Sequence, residues 1–136
     1  MEDLVMEPVF GNVHDLEWMG RYTPDGVYRG RKKLWSGAGA TLQVMEFCNG
    51  HPISPHSHDY EQIAMVLQGE ADFYVDDVKY RMTAGSYLVI PPHSVHYIHV
   101  HDSSVPVINF DVFVPRRDPY VNEYEDFMKT RGEDKK

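Results

Sequence analysis

A chain of 136 residues with 42% hydrophobic and 25% charged residues has the length and balance of one globular domain, not of a disordered chain. Its formal net charge of -8 argues against bulk attraction to nucleic acid or an anionic membrane, while leaving room for a local basic site for a small anion. Cys48 is the only cysteine, so no intramolecular disulfide can form, and no window approaches the apolar length of a membrane span.

Taken in order, the start Met-Glu-Asp-Leu-Val-Met-Glu lacks the basic-then-apolar order of a signal peptide, and a soluble cytoplasmic protein is expected. Residues 13–19 fit a short helical turn or a strand equally well. Tyr22-Thr23-Pro24-Asp25-Gly26 reads as a turn, because proline presets φ and Asp-Gly tolerates the left-handed region. Residues 27–35 mix aromatics with Arg29, Arg31, Lys32 and Lys33, the pattern of an edge strand whose charges discourage further pairing. Trp18 and Trp35 read as core or subunit contacts. Residues 40–47 alternate loosely and predict a strand.

The stretch from Gly50 to Gln62 carries the first chemistry. His56 and His58 are separated by one residue, so on an extended backbone their imidazoles project from the same side and can share a metal. Gln62 keeps that parity and Glu61 does not. A bulge would undo the argument, and two solvated loop histidines remain the alternative. Residues 63–67 then make a short apolar strand. Residues 73–75, Asp76-Asp77 and residues 78–82 read as a hairpin with Val78, Tyr80 and Met82 on one face. Residues 87–90 form a strand running into Pro91-Pro92. A second histidine block follows, with His93, His96, His99 and His101. Residues 105–114 are the last strand, its beginning confined to an edge or a start by Pro106. Short strands with turns between them predict an antiparallel sandwich or barrel. Tyr120, Tyr124, Phe127 and Met128 fall near helical spacing, so a short C-terminal helix should follow, with residues 132–136 frayed. The expected division is a single domain over residues 1–136: an arm over 1–26, a barrel over 27–114 and a C-terminal segment over 115–136.

Gly50, His56-Ser57-His58, Gln62 and Gly69 resemble the first cupin motif, with Gln where many members carry Glu. Gly85, Pro91 and His96 resemble the second. The resemblance implies an all-β fold, a double-stranded β-helix or jelly-roll barrel, with one divalent metal ion per chain (Zn, Ni, Fe, Mn or Cu) on His56, His58, Gln62 and His96. Three imidazoles and an amide oxygen suit a borderline divalent metal and leave it more positive charge than a carboxylate-bearing site would. His93 departs from the glycine usual in the second motif, Ser86 from a common Asp and Val100 from a common Asn. The remaining histidines are expected to lie off the metal, His99 and His101 by parity and His51 and His93 beside turns.

The ending Asp111-Val112-Phe113-Val114-Pro115-Arg116-Arg117 resembles the Asp-x-Phe-x-Pro-x-Arg close of small KdgF-type cupins, which ketonise unsaturated monouronates, and of bacilysin-pathway isomerases. That resemblance implies proton transfer by Asp111, a site wall from Phe113 and a substrate carboxylate on Arg117. It also implies a homodimer, which the N-terminal segment could complete by reaching across to the partner. The alternative for Asp111 is a strand-end carboxylate paired with Arg116 or Arg117. At the level of function, the expectation is an isomerase acting on a carboxylate-bearing sugar acid or related enol. An iron-dependent dioxygenase of a diketone or aromatic, and a cupin that only binds a small molecule, are the alternatives.

Overall fold

The computed structural model describes residues 7–134, with side chains through residue 131; Lys135, Lys136 and the first six residues, where the leader reading falls, lie outside it. Nine strands follow a single 3-10 turn at Val13–Asp15: β1 (Met19–Tyr22), β2 (Tyr28–Ser36), β3 (Thr41–Phe47), β4 (Glu61–Gln68), β5 (Ala71–Val75), β6 (Val78–Met82), β7 (Tyr87–Ile90), β8 (His96–His99) and β9 (Val107–Val114). One helix, α1 (Asp118–Asp134), ends the described chain. The strands build a six-stranded sheet in the order β1-β2-β3-β9-β4-β7 and a three-stranded sheet in the order β6-β5-β8. All named pairings are antiparallel. The fold is thus the expected all-β jelly roll with a C-terminal helix.

Alternation fixes which residues face inward. In β9, Val107, Asn109, Asp111 and Phe113 are buried while the residues between them are not. In β4, Gln62, Ala64 and Val66 are buried. The interior is apolar at one end, where Met45, Phe47, Val66, Phe73, Met82 and Val107 belong to one packed cluster. Toward the other end of β3, β4 and β9 the inward positions turn polar, with Gln43, Gln62, Asn109 and Asp111. A fold that fills one end of its barrel with hydrocarbon and the other with hydrogen-bonding groups has made room for chemistry.

The β5–β6 hairpin turns on Asp76 and Asp77 at φ 47 and 68, a primed two-residue turn that matches the strand twist. Three expectations are corrected. β2 is not an edge strand, because β1 pairs with it from Met19 to Tyr22 and takes the edge instead. The strand expected over 63–67 runs from Glu61 to Gln68, and α1 continues through the tail to Asp134. Two of the four charges of β2 do not face solvent: Lys32 and Lys33 are 8% and 6% exposed. Lys33 Nζ lies over the Trp18 ring at 4.5 Å, and Lys32 reaches Glu123 of α1 at 3.4 Å. The helix docks on the inner face of β2 through Leu34, Val121 and Tyr124. Among the described residues no helix is long and apolar enough to cross a membrane.

Candidate metal centre

His56 and His58 stand on the loop between β3 and β4, and His96 opens β8. That loop is not a strand, yet His56 is locked to His96 by an isolated two-way backbone bridge, with N···O distances of 3.1 and 2.8 Å. The bridge supplies the local extension that the parity argument assumed. One ring nitrogen from each of His56, His58 and His96 falls within 4.8 Å of the others. Gln62 Oε1 lies 3.1 Å from Nε2 of both His58 and His96.

The tautomers follow from the hydrogen bonds. Nδ1 of His56, His58 and His96 faces the carbonyls of Ser54, Tyr60 and Ser94 at 2.7, 2.9 and 2.8 Å. A carbonyl can only accept, so each Nδ1 carries a proton, and each ring in its neutral form leaves its Nε2 lone pair for the centre. Burial pushes the His96 imidazole down to about 4 and lowers that of His56 as well, which keeps both rings in the neutral, ligating form. Two imidazole lone pairs at 3.1 Å from an amide oxygen are acceptors facing an acceptor. Such a cluster is satisfied by a cation among them, and the donor set of three nitrogens and one oxygen fits a borderline divalent metal.

Gln62 explains itself at its other end. Its Nε2 donates to Asp111 Oδ1 at 3.0 Å, while Gln43 donates to Oδ2 at 2.9 Å and Asn109 to Oδ1 at 2.9 Å. Gln43 and Asp111 are register partners in the β3–β9 pair, which sets their side chains together. A glutamate at position 62 would place a second buried carboxylate against Asp111, and the like charge would force one of the two to hold a proton. The amide therefore serves two masters, an oxygen for the histidine cluster and an N–H for the carboxylate. Burial raises the Asp111 carboxyl above the ordinary range, and the three amide donors pull it back. Asp111 is 1% exposed, and among the described residues it makes no hydrogen bond or ion pair with Arg116 or Arg117, which bond to Asp118 and Thr41 instead.

Phe113 stands edge-on to His58 and Tyr60 and lines the cavity. Arg117 does not line it: its guanidinium stacks on the Tyr60 ring at 3.7 Å, with Nε buried and without a hydrogen-bond partner among the described residues, and its backbone N–H donates to Thr41 at 2.8 Å. Tyr60 and Tyr120 are joined hydroxyl to hydroxyl, which ties the start of α1 to the mouth. His51 does line the cavity, but Nε2 accepts from the Val100 N–H at 3.2 Å and Nδ1 faces the Pro52 carbonyl, so it is a structural histidine. His101 turns away to Asp72 at 2.8 Å. His93 sits at φ 72, taking on a histidine the left-handed turn for which glycine is the easier residue.

The cavity has a volume of about 170 Å³, below the roughly 300–1,000 Å³ of pockets for drug-sized ligands, a size that suits a small ligand. Besides the histidines, Asp111 and its amide partners, it is lined by Arg21, Arg29, Lys32 and Tyr120, none of which the sequence marked as a site residue. Asn109 Oδ1 is buried there without a hydrogen-bond partner, an acceptor free for a ligand O–H.

Residues 43–113 match the family model described as a cupin domain. The fold is similar to KdgF from Halomonas sp., at 24% identity and a TM-score of 0.69 over 84% of this chain and 99% of that one. It is similar also to an RmlC-like cupin from Shewanella frigidimarina, at 23% identity and a TM-score of 0.68 over 84% of this chain and 96% of that one. The DMSP lyase DddQ from Ruegeria pomeroyi aligns at 19% identity and a TM-score of 0.62, over 73% of this chain and 56% of that one.

Proposed function

Because the chain belongs to the cupin family, we propose that its cavity is the active site of a metal-dependent isomerase that moves a proton within a small carboxylate-bearing sugar acid or related enol. The observation that carries this reading is the chain of contacts from the histidine cluster through Gln62 to Asp111, a metal-ligand set hydrogen-bonded directly to a buried carboxylate. A divalent metal on His56, His58, His96 and Gln62 would supply Lewis-acid charge to a substrate oxygen. Asp111 takes the proton from an enol oxygen and delivers it to carbon, converting enol to ketone with no net redox change. Its three amide donors hold the carboxylate in place and keep it from being an unpaired buried charge. Asn109 Oδ1 accepts from a substrate hydroxyl, and Phe113 closes the wall behind it. The resemblance of the Asp111–Arg117 ending to KdgF-type cupins and the fold likeness to KdgF both support this class.

The test is anaerobic turnover of an unsaturated uronate by the metal-loaded protein. Asp111→Asn should keep the metal and lose about 10²–10⁴-fold in rate. Oxygen uptake coupled to product formation would point instead to a dioxygenase, and binding without turnover to a simple binding module.

A homodimer is part of the same proposal. The outer face of the large sheet carries Trp35 stacked on Phe110, with Tyr87 and Val89 70% and 48% exposed, an apolar face of the kind that seeks a partner. Tyr87→Asp should then shift the sedimentation coefficient to that of a monomer, and a monomeric wild type at micromolar concentration would end the idea.

A further inference from the structure

One wall of the cavity has no part in the metal-and-carboxylate chemistry. In the β1–β2 pair Met19 lies opposite Lys32 and Arg21 opposite Gly30, but Tyr22 lies opposite Tyr28. Arg29 is therefore the extra residue of a β-bulge, next to Gly30 at φ 105. A bulge re-aims a side chain, and here it lets Arg29 line the same cavity as Lys32, three residues on, which strict alternation would forbid. Gly30 has no substitute in this geometry, since a Cβ there would meet the Glu46 carbonyl oxygen at 2.4 Å.

The three cations are poorly answered by the protein. Lys32 has Glu123, but neither Arg21 nor Arg29 makes a hydrogen bond or ion pair among the described residues. Asp111 is the one carboxylate among the lining residues, and it already accepts from Gln43, Gln62 and Asn109. Burial, with Arg29 adding to it, draws the Arg21 guanidinium down to about 10. Arg21 and Arg29 are half-buried and Lys32 is buried, and holding like charges together partly out of water costs stability unless an anion joins them. The chain as a whole is acidic, at -8, so this cluster is a local inversion of the molecule's charge.

We propose that Arg21, Arg29 and Lys32 form the anion-binding wall of the cavity and hold the carboxylate of a small acid whose other end faces His56, His58 and His96. The assignment rests on the reading of this cavity as the substrate site, and it moves the carboxylate from Arg117, packed against Tyr60, to the bulge of β2. Two guanidinium forks and an ammonium suit a planar, charged group and discriminate against neutral sugars and esters.

Calorimetric titration of the zinc-loaded and the metal-free full chain with D-galacturonate, its methyl ester and inorganic phosphate tests it. The acid should bind about tenfold or more tightly than the ester, and Arg21→Gln and Arg29→Gln should each weaken the acid by about 10- to 100-fold while leaving the ester alone. Arg117→Gln should bind the acid as the wild type does. Arg21→Lys, which keeps charge without the fork, should fall between. Zinc content and circular dichroism report whether each variant is folded; if Arg21→Gln is not, Arg29→Gln on the bulge carries the test. Equal binding of acid and ester, acid affinity unchanged in the Arg21→Gln, Arg29→Gln double variant, binding of phosphate alone, or no binding at all would each overturn the assignment. Failure of the proposed reaction is a separate result: arginine-dependent acid binding without turnover would remove the isomerase and leave the wall standing.

Discussion

The two walls of the cavity are built on opposite principles. On the histidine wall every polar atom is directed: each Nδ1 is pinned by a carbonyl, each Nε2 looks inward, and Gln62 and Asp111 are oriented by named partners. On the β1–β2 wall the Arg21 and Arg29 guanidiniums have no ion-pair partner among the described residues, Lys32 has only the exposed Glu123, and a bulge sets the aim. The contrast separates two jobs. A metal needs lone pairs fixed in space before it arrives, whereas a carboxylate can draw flexible cations around itself, provided the protein has not already neutralised them. The difference can be broken at either wall.

The largest effect is expected at His58. Removing one of three convergent imidazoles in His58→Ala should abolish most of the bound metal, measured as metal per chain, while the barrel stays folded by circular dichroism, because the apolar cluster lies at the other end. Undiminished metal content would mean that these side chains do not hold it. The β1–β2 wall predicts the reverse signature, with metal content intact in Arg29→Gln.

Gln62→Glu comes next. The substitution conserves shape but sets a carboxylate where an N–H donated to Asp111 at 3.0 Å. Losing a buried hydrogen bond to a charged group costs about 1.5–3 kcal/mol, and the like charge forces one carboxyl to hold a proton, so the midpoint of denaturant unfolding should fall below wild type in the metal-free protein. The double variant Gln62→Glu, Asp111→Asn exchanges amide and carboxylate across the same hydrogen bond and should recover much of the loss. If the single variant is as stable as wild type, Asp111 is not the charged acceptor described above.

How far each wall was legible follows from the same contrast. The convergence of His56, His58, Gln62 and His96 could be read because residue type and spacing restrict it together, and the inward facing of Asp111 and Phe113 because alternation on one strand sets both. Gln43 and Asn109 were not legible, since their use depends on the register that sets Gln43 beside Asp111 across 68 residues of chain. Arg29 and Lys32 were read as charges that keep an edge strand from further pairing. That reading failed because residues 13–19 fitted helix and strand alike, and it is Met19–Tyr22 that pairs with β2, removes it from the edge and creates the bulge. Arg117 shows the converse: its position in a motif was plain, but its stacking on the Tyr60 ring, outside the cavity lining, was not.

Gly30→Ala probes the aim of the second wall without touching a charge. The residue stands at φ 105 with the Glu46 carbonyl in the way of any Cβ. Strain of this kind costs about 1–3 kcal/mol, and the backbone must shift to relieve it. Stability should fall by that amount and galacturonate affinity should fall with it, while metal content holds. An alanine variant as stable as wild type would mean that the bulge is not fixed as described.

The smallest effect concerns Lys32, and its sign distinguishes a wall kept for ligand from one kept for stability. Burial lowers the Lys32 ammonium below the ordinary lysine value; Glu123 offsets part of this and Arg21 adds to it. Between the folded value and the ordinary 10.5, the unfolded chain holds a proton that the folded chain has shed, so stability rises with pH across that window. Below it, the folded protein carries the cost of a buried charge. Lys32→Met should therefore be more stable than wild type at pH 7 by about 1 kcal/mol, the gain being limited by the lost contact with the exposed Glu123. The difference should shrink as the pH climbs toward the ordinary lysine value, measured as urea midpoints of the two proteins side by side; the raised tyrosines Tyr60 and Tyr124 are common to both and cancel. A wild type that is the more stable protein at pH 7, and loses its lead as the pH rises, would make Lys32 a structural cation paired with Glu123. It would then have no part in the anion wall, which would rest on Arg21 and Arg29 alone.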